Sequence, residues 1–451
     1  MAEIMALLSN LSQTLTATEL RQLTVIVPAV LSMTGQVTML NISRWTGKGG
    51  SYPTIRRFYN ASIVWLSVNW ALSCTQLQET PGIFLLVGDE TVVTKSGKET
   101  HGLNRFFSSI YKRAVPGLSF FGVSLVSVEK QNATMMMMEQ LTKEESTSSK
   151  SRPSPSKSKP KSKGKGRGKG KKNTKNKGGR PKGSKNKNRR DIELPAYLVN
   201  IQSYFKQVLE MVGTALKIPY CVLDGAFGNN NALQMVRRLD LHIISKLAKN
   251  SALYFPYTGE QKNSGRRRKY GTKLDYQQIP ERYLKGSSTE DGVRTDIYQM
   301  TLWSKSFPDL LNIVVIVKTK LDTQERAHVV LFSSDLDLDA DNLILYYSLR
   351  FQIEFQFRDA KQFWGLEDFM NVNQLPVYNA ANFALFMTNL AHILVQQRRA
   401  DNPFFSVTDL KAESRGYFYA SEILKLFPDS AENGFFERIF SRLPTIGAVN
   451  C

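Results

Sequence analysis

The sequence predicts a mixed α/β protein with helices in its first 80 residues, strands after them, and a strongly basic segment that interrupts the strands. Three observations predict this arrangement. Apolar residues recur every three or four positions near the start, as in EIMALLSNLSQTL, which is typical of amphipathic helices. From Ile83 the apolar residues form short continuous runs, which are typical of buried strands. Between Lys150 and Arg190 there are 19 basic side chains and no acidic one.

Residues 1–80 are expected to form a helical domain. Within it, a short amphipathic stretch ending at Trp45, a Gly-rich turn and a second stretch with Arg56 and Arg57 resemble a helix-turn-helix. DNA binding by this pair and plain helical packing are both consistent with the pattern, and the two arginines favour DNA.

The charge of the chain predicts a polyanionic partner. The formal net charge is +21, yet outside the basic segment there are 41 basic and 39 acidic residues, a net charge of +2. Residues 143–192 contain few apolar residues, so we expect a disordered tract when free. Its GGRPKGSKNKNRR resembles an AT-hook, in which Arg180 and Lys182 would enter a narrow A·T-rich minor groove. An unspecific polycation that contacts phosphates is an equally good interpretation.

Several classes of protein are excluded by composition. The cysteines Cys74, Cys221 and Cys451 are few and widely spaced, which indicates a reducing compartment and no Cys-based zinc site. No apolar run reaches the ~18 residues of a membrane span, and the first residues lack the basic part of a signal peptide. We therefore expect a cytoplasmic, nucleoid-associated protein without a membrane partner.

Two acids are expected at strand ends. IFLLVGDE predicts a buried strand with Asp89 at its C-terminal tip, and PYCVLDGAFG places Asp224 in the same way. Glu90 would point to the opposite face of a continuing strand, so Asp89 is the better candidate ligand. Residues 81–142 and 193–244 are therefore expected to be two parts of one domain.

The rest of the chain divides into three regions. Residues 245–310 are polar and irregular, and NIVVIVK and AHVVLFSSD after them complete a strand-rich insertion over residues 245–333. Residues 334–400 include one long helix, from about Asp339 to Phe363, and residues 401–451 form a C-terminal helical region.

The long helix carries an unusual set of charges. At 100° per residue, five side chains fall within about 80° of one another on the helix surface: Tyr347, Arg350, Glu354, Arg358 and Lys361. A solvated surface stripe is the ordinary explanation of such a set. The spacing Tyr-x2-Arg-x3-Glu-x6-Lys argues against it, because four fixed matches should arise by chance in only about three of a thousand chains of this length.

This spacing resembles the YREK signature of the DDE transposases of insertion-sequence family 4. Asp89 and Asp224 stand before it in the order that the family requires. The resemblance covers roughly residues 83–400 and implies a ribonuclease-H-like catalytic domain, here interrupted by the basic disordered tract and the strand-rich insertion, with the helical domain before it.

The resemblance also implies roles for individual residues. Asp89, Asp224 and Glu354 would be catalytic metal ligands for two Mg²⁺ ions per active site, with Mn²⁺ as a substitute, because hard cations prefer carboxylate oxygens. Tyr347, Arg350 and Lys361 would hold backbone phosphates. Family members commonly cleave through a hairpin, with an aromatic residue of the insertion stacked on a displaced base. Trp303 lies in the right interval, although a core position is the commoner use of a Trp.

The expected function is that of a DNA transposase. It would bind the inverted-repeat ends of an insertion sequence, excise the element and join it to target DNA, as a homodimer on double-stranded DNA. Two alternatives stay open: a catalytically inactive transposase relic that only binds DNA, and a two-metal nuclease without strand transfer.

Overall fold

The computed structural model describes residues 2–47, 49–108, 112–142 and 189–424. Arg180, Lys182 and most of the basic tract therefore lie outside the described residues, as do residues 425–451 of the C-terminal region. No helix in the described ranges has the length and apolar character that crossing a membrane requires.

The described residues before position 80 form five α-helices: α1 (Ala2–Ser9), α2 (Ala17–Ser32), α3 (Met39–Trp45), α4 (Tyr52–Tyr59) and α5 (Trp65–Gln78). α2 begins at a capping box, in which Thr16 and Glu19 each accept a hydrogen bond from the other's backbone N–H. α3 and α4 are the two stretches of the expected helix-turn-helix. Arg56 and Arg57 are exposed on α4, whereas Phe58 is buried.

The strands of the described residues form one mixed sheet of twelve: β1 (Phe84–Thr94), β2 (Asn104–Ser108), β3 (Arg113–Ser127), β4 (Ala133–Leu141), β5 (Tyr220–Val222), β6 (His242–Leu247), β7 (Leu253–Pro256), β8 (Tyr270–Lys273), β9 (Leu284–Glu290), β10 (Val293–Ser304), β11 (Leu310–Lys320) and β12 (Arg326–Ser333). The order across the sheet is β2-β3-β1-β5-β6-β12-β11-β10-β7-β8, with β4 paired to β3 and β9 paired to β10. The chain is thus a mixed α/β protein, as the sequence predicts.

The position predicted for Asp89, at a strand tip, is wrong. β1 continues five residues beyond it, because the antiparallel neighbour β3 pairs along the whole strand as far as Thr94. The parallel neighbour β5 stops much earlier, at Val222. Asp89 therefore lies where the parallel part of the sheet ends, rather than where its own strand ends.

The prediction that residues 245–310 are irregular is also wrong. They contain β7, β8, β9 and all of β10, and these strands extend the same sheet. β10 alternates buried and more accessible positions, and polar residues such as Asp296 and Gln299 stand at both kinds of position. A strand with one solvated face lacks the continuous apolar run that identifies a buried strand.

Helices cover both faces of the sheet. They are α6 (Ala196–Val212), α7 (Asn230–Arg237), α8 (Ala340–Leu349), α9 (Phe351–Phe363), α10 (Gln374–Arg398) and α11 (Val407–Leu424). One core joins the helices before β1 to α9 and α10, and the other contains α6 and α7. α10 is almost entirely buried, and its Asn382 and Asn389 bond to the backbone of β4.

The single long helix predicted over residues 339–363 is divided in two. Arg350 stands between α8 and α9, and the hydrogen bonds there run over three residues, from Arg350 N to Tyr347 O and from Ile353 N to Arg350 O. The backbone of Arg350 keeps helical dihedral angles, so the direction of the chain changes little. The break lies beside the charged residues on which the functional interpretation depends.

Candidate active site

Asp89 is held on the face of the sheet that α9 covers. Alternating residues of β1 point to opposite faces, so Leu85 and Val87 belong to the core that contains α9, and Leu86 belongs to the other core. Gly122 of β3 stands directly opposite Asp89. A Cβ atom on Gly122 would lie 2.7 Å from the ring of Phe357 on α9, so the missing side chain lets α9 lie close to the sheet beside Asp89.

Arg350 links Asp89 to Glu354. Its Nη1 donates to Asp89 Oδ2 at 2.6 Å, and its Nη2 donates to Glu354 Oε1 at 2.7 Å. The arginine is 6% exposed, and its Nε is buried without a hydrogen-bond partner among the described residues. One guanidinium therefore holds two carboxylates from different elements in a fixed relation.

Asp224 lies at the same level of the sheet as Asp89. β1 and β5 are parallel neighbours whose last pair is Val87 with Val222, and each acid stands two residues further on. Asp224 accepts a hydrogen bond from Ala226 N at 3.0 Å, which holds its carboxylate at the beginning of a short 3-10 turn. The register of two parallel strands thus brings together two acids that are 135 residues apart.

The three carboxylates act on one another electrostatically. Burial raises the pKa of Asp89 from its ordinary value of 3.8 to about 6. Arg350 opposes this rise, whereas the negative charges of Asp224 and Glu354 add to it. Burial outweighs the ion pair with Arg350, so the pKa of Asp89 stays above its ordinary value although an arginine is its partner.

Tyr347 and Lys361 lie on either side of this group. Burial raises the pKa of Tyr347, Arg350 lowers it, and the charges of Asp224 and Asp89 raise it further, which places the hydroxyl beside the same acids. Lys361 Nζ donates to Val92 O of β1 at 2.8 Å and lies 3.5 Å from Glu367 Oε1. Tyr347 thus lies beside the acids, and Lys361 lies beside the part of β1 that follows Asp89.

An open cleft of about 660 Å³ reaches this group. Asp89, Glu354 and Lys361 line it together with Arg358, whose guanidinium packs on the ring of Phe355 with 5.0 Å between its centre and the ring centroid. Two of the acids thus face a cleft that also has cationic side chains, an arrangement suited to a phosphodiester.

Tyr197 is a residue of this region that the sequence analysis did not identify. Its Oη donates to Glu90 Oε1 at 2.6 Å. Burial raises the pKa of Tyr197, and the charges of Glu90, Asp224 and Asp89 raise it further. Glu90 thus contacts α6, and it also lines the cleft with Asp89. No local pattern marks Tyr197, because its contact depends on how α6 packs.

Lys246 was also not identified. It stands two residues beyond Ile244, which pairs with Val222 in the parallel strands β5 and β6, so it lies level with Asp224. A Cβ atom on Gly225 would lie 3.1 Å from Lys246 Cε, so the glycine leaves room for the lysine. The same rule that selects Asp89 and Asp224, a polar residue near the end of an apolar strand, also selects Lys246 in the run HIISKL.

The other candidate residues lie elsewhere. Trp303 is on β10, five strands from β1 in the sheet. It is half-buried and makes an edge contact with Tyr270, with ring centroids 6.1 Å apart. Arg56 and Arg57 are exposed on α4, in the helical region before the sheet.

The acids suit a hard divalent cation by their chemistry. Asp89, Asp224 and Glu354 offer carboxylate oxygens from three separate elements, and Arg350 already supplies one positive charge between two of them. Within the described ranges, no three His, Cys, Asp or Glu side chains lie close enough together to bind one ion. The acids thus fit Mg²⁺ by the chemistry of their oxygens, whereas their spacing in this structure leaves the three too far apart to share one ion.

Comparison with known proteins assigns a family. No curated protein matches the chain. The profile of one family, described as DDE superfamily endonuclease, matches residues 10–307, more than half of the chain. The matched residues include Asp89 and Asp224, and Glu354 lies beyond them. Members are nuclease-type enzymes that act on DNA and use divalent metals, typically Mg²⁺. The chain belongs to the family of DDE superfamily endonucleases.

Proposed function

We propose that this protein is a DNA transposase of insertion-sequence family 4, which cuts at the inverted-repeat ends of an element and joins them to target DNA. The observation that carries the proposal is the double ion pair of Arg350 with Asp89 and Glu354. It links the Tyr-Arg-Glu-Lys pattern of the helices to the first acid on the sheet. A surface stripe of charges would have no reason to meet a half-buried carboxylate 261 residues away.

The strand order supports a ribonuclease-H-like catalytic domain. Five strands lie in the order β4-β3-β1-β5-β6, with β1, β3 and β4 antiparallel and β1, β5 and β6 parallel. The first acid is on the central strand, the second follows its parallel neighbour, and the third is on a later helix, the order expected for this class of nuclease.

The acids would hold the metal, and the cations would hold the DNA. Asp89, Asp224 and Glu354 would bind two Mg²⁺ ions, which supply charge neutralisation at the attacking and leaving oxygens. Arg350 orients Asp89 and Glu354, since both of its Nη atoms donate to them. Lys361 lines the cleft and is suited to a DNA phosphate.

Two phosphoryl transfers would follow in this site. In cleavage, a water oxygen bonds to phosphorus, the bond to the 3′ oxygen breaks, the water loses a proton and the 3′ oxygen gains one. In joining, the freed 3′-hydroxyl attacks a target phosphate and the target's own 3′ oxygen leaves. Two ends must be handled together, which favours a dimer on DNA.

Incubation with a labelled inverted-repeat end, unlabelled target DNA and Mg²⁺ tests this proposal. A transposase nicks the end and transfers the label to the target. Cutting without transfer would indicate a nuclease. Binding without cutting would indicate an inactive relic. A hairpin product would migrate slowly on a denaturing gel, because its two strands are covalently joined into one longer strand.

A further inference from the structure

A second concave surface on the molecule is strongly basic. An open pocket of about 630 Å³ lies beside the C-terminal end of β10. Six cationic side chains line it: Arg189, Arg266, Arg267, Arg268, Lys269 and Lys305. We call it the cationic pocket. Its members come from three separate segments of the chain, so folding rather than local sequence brings them together.

No carboxylate of the described residues forms an ion pair with any of these six side chains. The acid next to them, Asp309, is already paired with Arg190 and Arg237, the latter at 2.6 Å. Uncompensated positive charge in a concave site raises the local concentration of anions. The pocket is therefore an electrostatic site for a polyanion, in a protein whose net charge outside residues 150–190 is only +2.

Aromatic rings in the pocket and next to it hold its cations. Lys269 Nζ lies 4.8 Å from the ring centroid of Trp303, and Lys305 Nζ lies 4.7 Å from that of Tyr254. Arg268 packs on Tyr257 at 4.4 Å. Such contacts orient the charged groups. They also use ring faces on which a nucleic-acid base would otherwise stack, which favours a phosphate ligand over a base.

Arg189 connects this pocket to the basic tract. It is the first residue of the tract that the structure describes after residue 142 and it lines the pocket, so the C-terminal end of the tract lies at the edge of the pocket. The pocket lies five strands from Asp89 in the sheet, which is about 24 Å at about 4.8 Å per strand. A duplex covers that distance in about seven base pairs, at 3.4 Å each.

We propose that the cationic pocket binds consecutive backbone phosphates of duplex DNA, and that Trp303 positions Lys269 there. This inference rests on the proposed function, because it takes DNA as the polyanion. In this arrangement one duplex contacts the protein at two places, at Asp89 and the neighbouring acids and at the cationic pocket.

Salt titrations of DNA binding by the full-length protein test the proposal. The pocket variant carries Arg266→Gln, Arg267→Gln and Lys305→Gln. The matched control carries Lys206→Gln, Arg294→Gln and Lys320→Gln, three exposed cations that each pair with an acid. We expect the pocket variant to lower the log–log salt slope by about 2 to 3, at about 0.9 per phosphate contact, and the control to lower it by less than 1. Equal slopes for the two variants overturn the proposal.

A second comparison separates phosphate binding from base stacking. Trp303→Leu and Lys269→Gln should weaken duplex binding by similar factors, and the double variant should lose no more than either single one. If Trp303 stacks on bases, Trp303→Leu weakens single-stranded DNA selectively and Lys269→Gln has little effect, and the positioning role is wrong.

Different results would overturn the proposed function and the role of the cationic pocket. Wild-type protein that neither binds nor cuts DNA overturns the proposed function and this inference with it. Wild-type protein that binds and cuts, with a pocket variant that matches the control, overturns the pocket alone.

Discussion

Arg350 Nη1 lies 2.6 Å from Asp89 Oδ2, although the two residues are 261 positions apart in the chain. The same guanidinium holds Glu354 on the next helical turn. The arginine therefore connects the helices to the sheet at the point where the acids meet. Removal of the Arg350 side chain should therefore affect both the stability of the fold and the cleavage of DNA.

Arg350→Ala should abolish cleavage and destabilise the protein by about 3 kcal/mol, because it leaves the mostly buried Asp89 without its partner. Arg350→Lys should recover only part of both losses, since one ammonium cannot donate to two carboxylates in the fixed geometry of a guanidinium. Urea unfolding and a cleavage assay measure the two effects. Full activity of Arg350→Lys would show that charge alone matters.

Asp89 should make stability fall as pH rises. Its folded pKa of about 6 lies above its ordinary value of 3.8, so its favourable contribution is complete below pH 3.8 and is lost as pH rises through 6. Asp89→Asn does not titrate. From pH 4 to pH 8 the wild type should therefore lose about 2 kcal/mol of unfolding free energy relative to Asp89→Asn, at 1.36 kcal/mol per pKa unit.

Mg²⁺ provides the control for this pH effect. At pH 8 it should raise the Tm of the wild type more than that of Asp89→Asn, because the ion binds the ionised carboxylate. Parallel stability curves for the two proteins across this pH range would show that Asp89 is not buried among like charges.

Gly122→Ala should displace α9 from the sheet. Its Cβ atom would lie 2.7 Å from the Phe357 ring and 2.9 Å from Met135 Cε, so the helix or the strand must move. We expect the free energy of unfolding to fall by about 1 to 3 kcal/mol, and cleavage to be reduced while DNA binding is retained.

Gly286→Ala is the matched control, because a Cβ atom on Gly286 of β9 has no heavy atom within 4 Å. Adding Phe357→Leu should restore part of the loss. Unchanged activity in Gly122→Ala would mean that the approach of α9 is not critical.

Deleting residues 150–188 should weaken DNA binding broadly and flatten its salt dependence, while cleavage of saturating DNA persists. The deletion keeps Arg190, which pairs with Asp309. It removes most of the excess positive charge of the chain, and each lost phosphate contact lowers the salt slope by about 0.9.

An AT-hook makes a narrower prediction. Arg180→Ala with Pro181→Ala should then selectively weaken binding to A·T-rich duplexes, where the minor groove is narrow. Equal losses on A·T-rich and G·C-rich duplexes would indicate that the tract is an unspecific polycation. An unchanged salt slope after deletion of residues 150–188 would show that the tract does not engage DNA.

The sequence predicts the elements that carry the site better than the contacts that assemble it. The runs before Asp89 and Asp224 are continuous and apolar, so their burial as strands follows from composition alone. No local sequence pattern indicates the tertiary contacts of a side chain in this way. Tyr197 reaches Glu90, and Lys246 stands beside Asp224, only through the packing of α6 and the pairing of β6.

The break at Arg350 and the strands between residues 245 and 310 illustrate the same limit. Helical periodicity continues through Arg350, whose dihedral angles stay helical, so no breaking residue indicates the change. β10 has a solvated face, and its polar positions resemble a loop until β9 and β11 supply its hydrogen bonds. Both features follow from neighbours that are distant in the sequence.

The most direct test of the central claim is Mg²⁺-dependent cleavage of an inverted-repeat end by Asp89→Ala, Asp224→Ala and Glu354→Ala, with end binding measured on the same samples. Glu90→Gln is the control, because Glu90 follows Asp89 in the chain but bonds to Tyr197, so the ion pairs of Arg350 with Asp89 and Glu354 stay intact. We predict that each of the three variants loses cleavage by a factor of at least about 1000 while its affinity for the end stays within a few-fold, and that Glu90→Gln keeps most of its activity. Normal cleavage by any of the three acid variants would contradict the account.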